Sequence, residues 1–306
     1  MRIRWRILAC LCLCGLLVWF LAGSDQVRAV MQEGLALCAR SVIPSLFPFM
    51  VVTSLLLSLG LGELAAPWLA GLMEPLFRVP GAGSAALLLG LIGGYPIGAQ
   101  TAAELYRGGL ATRAEAERLL AFCNNSNPVF LISVLGAGVF GSVRAGVWLW
   151  LIHVLSALLT GLVFRGTGAD ARSCRTVKRP VFRAAGLIPA FVGAVRSSVS
   201  GMLSVCGFVL FFYVLAQPLA ALGGRLGPCL VGITELFSLT PLLTPDAFGF
   251  VLAAGAAGWG GVSVLCQTLA VLEGSGLRLR NCLLGKAVQS AFSLLLAALL
   301  AGYVLG

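Results

Sequence analysis

The sequence predicts an all-α polytopic membrane protein of about ten helical segments, and two observations lead to that prediction. Hydrophobic residues make up 59% of the 306-residue chain and charged residues only 10%, whereas soluble domains are about 45–50% apolar and about 25% charged. Charge-free runs also cover 79–103, 119–143, 197–224 and 247–272, and each is long enough to cross about 30 Å of hydrocarbon as a helix. A soluble enzyme is therefore excluded.

Ten apolar segments follow one another, and two of them, 64–77 and 228–243, are too short to cross without tilting or re-entering. The first resembles a signal peptide with a cleavage site near 22–24, but it is also long enough to remain as an anchor, which we favour. Residues 26–40 mix apolar and polar positions, as an interfacial helix does. The segments are 7–23, 42–61, 64–77, 83–105, 119–140, 145–164, 188–222, 228–243, 247–272 and 282–305.

The second half of the chain resembles the first when it is shifted by 167 residues. Nine of the 21 positions in 93–113 are then identical, among them Gly93-Gly94 with Gly260-Gly261 and Gln100-Thr101 with Gln267-Thr268. Such self-similarity predicts a duplication. The domains assigned on this basis are an N-terminal span (1–25), a first repeat (26–140), a linker span with a basic cytoplasmic loop (141–187) and a second repeat (188–306).

The basic residues between the segments predict the topology. The arginines at the N-terminus and in the loop 165–185 are assigned to the cytoplasm, because cytoplasmic loops are enriched in Lys and Arg. Six segments lie between them, and corresponding segments of the two repeats then stand five crossings apart. An odd number inverts the second repeat relative to the first, as in many transporters. Residues 106–117 and 273–281 are accordingly predicted on opposite sides of the membrane.

Polar or helix-breaking residues inside these apolar segments are the candidates for a solute-binding site. Glycine and proline interrupt the hydrogen bonding of a helix, and amide or charged side chains in hydrocarbon need a cavity, a ligand or partners. The candidates are Gly93, Gly94, Tyr95 and Pro96; Asn124, Asn125, Ser126 and Asn127; Glu235; Gly260, Gly261, Gln267 and Thr268; and Lys286, which begins a polar helical stripe with Gln289 and Ser293.

Each candidate also has a purely structural interpretation. The GGYP break is a closely packed kink, the asparagine cluster a surface loop, Glu235 part of a re-entrant turn that reaches water, and Lys286 a snorkelling side chain. If Glu235 is functional, we expect it to bind a coupling proton or cation or to pair with Lys286. His153 is expected to be a hydrogen-bonded packing residue rather than a proton relay.

The sequence offers no pattern for catalysis or for a cofactor. The ten cysteines lie mostly in apolar runs without ligand spacing, and we interpret them as small buried apolar residues rather than as metal ligands. No Ser/His/Asp set, P-loop or GxGxxG motif supports catalysis. We therefore expect no enzyme activity, no metal, no cofactor and no nucleic-acid partner.

Three phrases of the sequence resemble a known family. PSLFPF (44–49), GGYPIGA (93–99) and RAEAERLLAFCNNSNPVF (113–130) are similar to the YlbJ-type sporulation integral membrane proteins of the nucleoside-recognition, or Gate, domain family. The resemblance implies two Gate-like repeats in a bacterial cell membrane, for this type the outer forespore membrane. It further implies transport of a small polar or anionic solute, with dipicolinate moving into the forespore.

The partners expected for such a protein are the solute, the lipid bilayer and a coupling proton or cation, and a homo-oligomer is left open. Two alternatives remain: a non-transporting membrane scaffold for spore assembly, and a nucleoside transporter. A scaffold would present its recognition features in loops, and only 165–185 is long enough for that. An intramembrane enzyme would need a second catalytic group near Glu235 or His153, and none is evident.

Overall fold

The computed structural model describes residues 2–166 and 186–306, and within these ranges the chain is helical with short connections and no strand. The predicted all-helical membrane fold is confirmed, since six helices in the described ranges are long and apolar enough to cross a membrane. Most of the basic loop 165–185, including Arg172, Arg175, Lys178, Arg179 and Arg183, lies outside the described residues.

The first half of the chain, before the loop 165–185, contains the following elements. They are α1 (Arg2–Ala22), α2 (Ser24–Leu37), a π-helical turn (Cys38–Val42), α3 (Ile43–Ser58), α4 (Leu61–Phe77), α5 (Gly83–Gly93), α6 (Ile97–Arg107), α7 (Arg113–Leu119), a π-helix (Phe130–Val139) and α8 (Val143–Phe164). Those of the second half are α9 (Leu187–Ala220), α10 (Leu226–Thr234), α11 (Leu236–Leu239), a 3-10 turn (Thr240–Leu242), α12 (Ala247–Trp259), α13 (Gly261–Leu272) and α14 (Arg280–Leu305).

Helices α5 and α6 form a hairpin rather than one span. A Cβ added to Gly90 would lie 3.0 Å from the Cα of Gly98, although eight residues of straight helix would separate the two by about 12 Å. The outer ends also return to one side of the bundle, because Gly83, at the start of α5, packs against Leu119 of α7, which follows α6. The predicted span 83–105 is therefore wrong: the chain enters, turns at the GGYP break and leaves on the same side.

A second hairpin, made of α10 and α11, enters from the opposite end. The guanidinium of Arg225, just before α10, lies 4.5 Å from the ring centroid of Phe248, at the start of α12. Because the two ends of the intervening segment are neighbours, the chain must turn back between them, and it does so at Glu235. The short segment 228–243 therefore re-enters and does not span.

Two hydrogen-bonded loops define what we call the basic end of the bundle. Arg107 Nη2 donates to the carbonyl of Glu273 at 3.3 Å, and the backbone N–H of Arg278 donates to Glu117 Oε1 at 3.1 Å. The loops around 107–117 and 273–280 thus lie side by side, and the prediction that they occupy opposite sides of the membrane is wrong. The parity argument counted the α10–α11 hairpin as a crossing, which added one to the true number.

The 167-residue shift also pairs unlike elements. It aligns the α5–α6 hairpin with α12–α13, which runs from the opposite end, where Phe250 packs on Phe140 at 5.8 Å between ring centroids, to Glu273 at the basic end. A hairpin and a broken span cannot be structural equivalents. The sequence similarity between 93–113 and 260–280 therefore does not reflect a common position in the fold.

Arginines are concentrated at the basic end. Arg165 at the end of α8 donates to the carbonyl of Pro75 at 3.1 Å, which brings the end of α4 to this side as well. Arg278 and Arg280 are no longer exceptions to the positive-inside rule, because they share this end with Arg107. We accordingly predict that the basic end faces the cytoplasm.

This assignment predicts the outcome of side-specific labelling. Cysteines introduced at Gly108 and Arg278, both exposed, are expected to react with an impermeant maleimide from the same, cytoplasmic side. Gly223→Cys at the opposite end is the control and should react from the outside. Peptide mass spectrometry on sealed and permeabilised vesicles separates these sites from the native cysteines. Labelling of 108 and 278 from different sides would contradict the fold.

Two long antiparallel helices flank the hairpins. Residues 24–58 form one continuous helix of 35 residues, and it packs along α9 through Gly34 against Leu210 and Met50 against Gly201. The predicted interfacial helix 26–40 is therefore not a separate element but the first part of this long helix. Helix α1 is exposed along its length, so Cys10, Cys12 and Cys14 are exposed and not buried as expected.

Candidate functional site

Four interruptions of helical structure meet in the interior. A Cβ on Gly260 would lie 3.2 Å from Cζ of Tyr95, at the tip of α5–α6. One on Gly261 would lie 3.2 Å from the Cα of Glu235, at the tip of α10–α11. A Cβ on Gly94 would lie 3.0 Å from the Cβ of Asn127. The two hairpin tips, the unwound residues 124–127 and the α12–α13 break are thus neighbours, and Gly93 and Pro96 flank the first tip.

Glycine is required at several of these contacts. Gly94, Gly260 and Gly261 have φ of +84°, +86° and +92°, a region that residues with a Cβ rarely adopt. Gly90 and Gly98 clasp the chain at Cys123, whose carbonyl oxygen would stand 1.9 Å from a Cβ on either one. The backbone of the unwound segment therefore passes through a groove that only glycine leaves open.

The asparagine cluster is buried and bonded to several elements. The residues Asn124, Asn125, Ser126 and Asn127 are all at most 3% exposed, so the surface-loop interpretation is wrong. Their amides replace the missing helical hydrogen bonds, as buried polar groups in a membrane must. Asn124 Nδ2 donates to Thr268 Oγ1 at 2.9 Å, Asn125 Nδ2 to the Phe122 carbonyl at 2.8 Å and Asn127 Nδ2 to the Ser45 carbonyl at 2.7 Å, while Asn127 Oδ1 accepts from Phe130 N at 2.7 Å.

Lys286 is completely buried beside this cluster. Its Nζ donates to the carbonyl of Asn124 at 2.9 Å and to Gln289 Oε1 at 2.6 Å, and it lies 4.9 Å from the ring centroid of Tyr95. Among the described residues no carboxylate forms an ion pair with it. Both the snorkelling interpretation and the pairing with Glu235 are therefore wrong. The ammonium group is held by neutral partners alone.

The candidates from sequence omitted two members of this network. Gln289 Nε2 donates to Asn125 Oδ1 at 2.9 Å, and the backbone N–H of Ser126 donates to Nε2 of His153 at 3.1 Å. His153 is thus hydrogen bonded, as expected, and its buried Nδ1 has no partner among the described residues. The polar stripe of α14 was the signal for Gln289, but His153 stands alone in an apolar segment and carries no such signal.

Glu235 is 1% exposed at the tip of the α10–α11 hairpin. Its Oε2 accepts hydrogen bonds from the backbone N–H of Ser238 and, at 2.7 Å, from Ser238 Oγ. The carboxylate therefore caps the N-terminus of the short helix α11, where a negative charge is favoured. The expected re-entrant turn is present, but its carboxylate does not reach water.

A narrow cavity opens between the two hairpin tips. Its polar lining residues are Ser126, Asn127 and Gln267, and Tyr95 also lines it. The remaining wall is apolar and partly aromatic, a combination typical of small-molecule sites. The apolar lining residues are Leu46, Phe130, Val205, Leu236, Phe237 and Val264.

Parts of this sequence match known proteins. Residues 39–145 match the Gate family, described as nucleoside recognition. The chain is 28% identical to the sporulation integral membrane protein YlbJ of Bacillus subtilis strain 168. The alignment spans 316 residues and covers 88% of this chain and 76% of YlbJ. The predicted resemblance is confirmed. No solved structure matches the chain.

The Gate match includes the α5–α6 hairpin and the unwound residues 124–127. Glu235, Lys286 and the α12–α13 break lie outside it. One half of the site thus comes from the Gate match, while the other half comes from sequence outside it.

Proposed function

We propose that the protein is a membrane transporter or permease for a small anionic solute, with dipicolinate moving into the forespore as the first candidate. The observation that supports this proposal is the buried amino group of Lys286, whose partners among the described residues are neutral. A desolvated charge without a counter-charge costs several kcal/mol. A carboxylate-bearing solute near the tips of the hairpins would offset that cost.

We further propose an inverted repeat whose pairing differs from that of the 167-residue shift, and such a repeat would support alternating access. The two long helices run in opposite directions, and the two hairpins enter from opposite ends. Inverted repeats with broken helices at the membrane midplane are typical of secondary transporters. In this proposal the chain keeps about ten segments, and the corresponding elements of the two repeats are α2–α3 with α9, α5–α6 with α10–α11, α7 and the π-helix Phe130–Val139 with α12–α13, and α8 with α14.

The relatives support the setting and a second candidate solute. The name of YlbJ refers to sporulation, which is consistent with a role in the membranes of a developing spore. The Gate description refers to nucleosides, and the aromatic wall of the cavity with its amide edge suits a nucleobase. A neutral nucleoside, however, leaves the charge of Lys286 without a counter-charge.

Solute uptake by the purified protein in liposomes tests the proposal. We expect saturable uptake of dipicolinate and slower but measurable uptake of its neutral diamide, with protein-free liposomes as the control. Uptake of uridine or adenosine without dipicolinate would favour the nucleoside transporter. Uptake of none of these solutes by folded protein would favour the scaffold.

Glu235 is proposed to couple transport to a proton or cation. Glu235→Gln is expected to keep the fold, because an amide oxygen can still accept the bond from Ser238 N–H, and to remove the dependence of uptake on an ion gradient. Accumulation is measured under imposed proton and sodium gradients. Ser238→Ala is the matched control, since it removes one hydrogen bond and leaves the charge. Undiminished gradient-driven accumulation by Glu235→Gln would assign the carboxylate to capping only.

A further inference from the structure

A second cleft lies between the central cavity and the basic end. It is bordered by one helix of each repeat and by α6, and its lining mixes apolar side chains with hydroxyl and amide groups. The lining residues are Met50, Thr53, Ser54 and Leu57 of α3, Ile97 and Gln100 of α6, and Ser197 and Ser198 of α9.

The cleft contains hydroxyl and amide groups although it lies between the apolar helices α3 and α9. Ser198 is 2% exposed, and its Oγ has no hydrogen-bond partner among the described residues. An unpaired hydroxyl in an apolar environment is destabilising, and water in the cleft would remove that penalty. Gln100 and Thr53 add further polar atoms at the same level. The cleft therefore has the character of a wet vestibule.

The cleft and the central cavity follow the same three elements. On α3, Leu46 lines the cavity and Thr53 lines the cleft, while on α9 Val205 and Ser198 do the same. In the first hairpin, Tyr95 lines the cavity and Ile97, two residues later, lines the cleft. In all three elements the cleft residue is nearer the basic end, so the two spaces lie in line.

Met50 stands between them. Its Cε lies 2.7 Å from the position of a Cβ on Gly201, so the tip of the side chain occupies the notch that this glycine leaves in α9. Met50 is 4% exposed. An unbranched thioether can leave such a notch by rotation of its side-chain bonds, without movement of the helix backbone.

We propose that the cleft is the water-filled access route from the basic end to the solute site, and that Met50 seated against Gly201 closes it. This inference deepens the proposed function and rests on it. It names the side from which the site is reached and the side chain that blocks the way.

Thiol labelling of the full-length protein in membrane vesicles tests whether the cleft holds water. Ser198→Cys is expected to react with a negatively charged methanethiosulfonate at least about ten times faster than Val199→Cys, because the thiolate that attacks the reagent and displaces methanesulfinate forms in water. Val199 is the neighbouring, exposed apolar position on the same helix and serves as the matched control. Peptide mass spectrometry identifies the modified cysteine. Equal, slow reaction at both positions would overturn the route.

The closing role of Met50 is tested with a reporter beyond it. Leu46→Cys, in the central cavity, is expected to react slowly beside Met50 and about tenfold faster when Met50→Ala is added, whereas Met50→Leu should leave the rate low. Ser198→Cys should react at one rate in all three backgrounds. No acceleration by Met50→Ala in a protein of unchanged thermal stability would overturn the closing role.

The labelling results do not depend on any solute, so the two proposals fail separately. Fast labelling of Ser198→Cys without uptake of any tested anion would contradict the proposed function and leave the access route standing. Anion uptake with an unreactive Ser198→Cys would contradict the route and leave the transporter.

Discussion

Lys286→Met is expected to reduce uptake of a dianionic solute by about 100-fold, because losing a buried charge from a charged contact removes about 3 kcal/mol of binding. Methionine fills a similar volume. The carbonyl of Asn124 and Oε1 of Gln289 each lose the hydrogen bond that Lys286 donates. Uptake of the neutral diamide should be almost unchanged, since it does not need the ammonium. Initial rates in liposomes over a range of concentrations measure both effects.

Thermal stability provides the control for this variant. Replacing a buried charge by an apolar side chain of similar size is often neutral or stabilising, so the melting temperature of Lys286→Met in detergent should not fall. A stable variant with normal uptake of the dianion would show that Lys286 only holds the unwound segment in place. A variant that loses uptake of both solutes equally would point to a general defect in the site.

Gly98→Ala is expected to destabilise the protein strongly. The added Cβ would lie 1.9 Å from the carbonyl oxygen of Cys123 and 3.1 Å from the Cα of Asn124, and because these are backbone atoms the unwound segment must move. Overpacking of this kind costs about 1–3 kcal/mol or more, and we expect a fall of about 5 °C or more in melting temperature. Uptake should be lost as well, since the asparagines move with their backbone.

Gly207→Ala is the matched control for this change. Gly207 lies in α9, with nothing within 4 Å of an added Cβ, so alanine should be tolerated there or slightly stabilise the helix. Equal melting temperatures for the two variants would contradict the close passage of the chain at Cys123. The comparison is independent of any solute and tests the geometry of the site alone.

Composition and short motifs by themselves determine that this chain is a helical membrane protein with interrupted helices. The scarcity of charge in long apolar runs predicts a helical bundle in a membrane, because a helix satisfies its backbone hydrogen bonds within one continuous apolar run. Glycine, proline and asparagine mark the positions where a helix cannot continue, and the breaks at Gly94 and at residues 124–127 occur there. The match to the Gate family, residues 39–145, includes both of these breaks.

Only the tertiary structure decided which apolar segments cross the membrane and which turn back. Hydropathy measures the preference of a segment for hydrocarbon and contains no direction, so two 11-residue helices, α5 and α6, look like one span. The same error at the α10–α11 hairpin placed the loops at 107 and 273 on opposite sides, whereas the two loops are hydrogen bonded to each other. The partners of Lys286 and His153 were hidden for a related reason. Asn124 lies 162 residues from Lys286 along the chain, and only packing brings such distant groups into hydrogen-bonding distance.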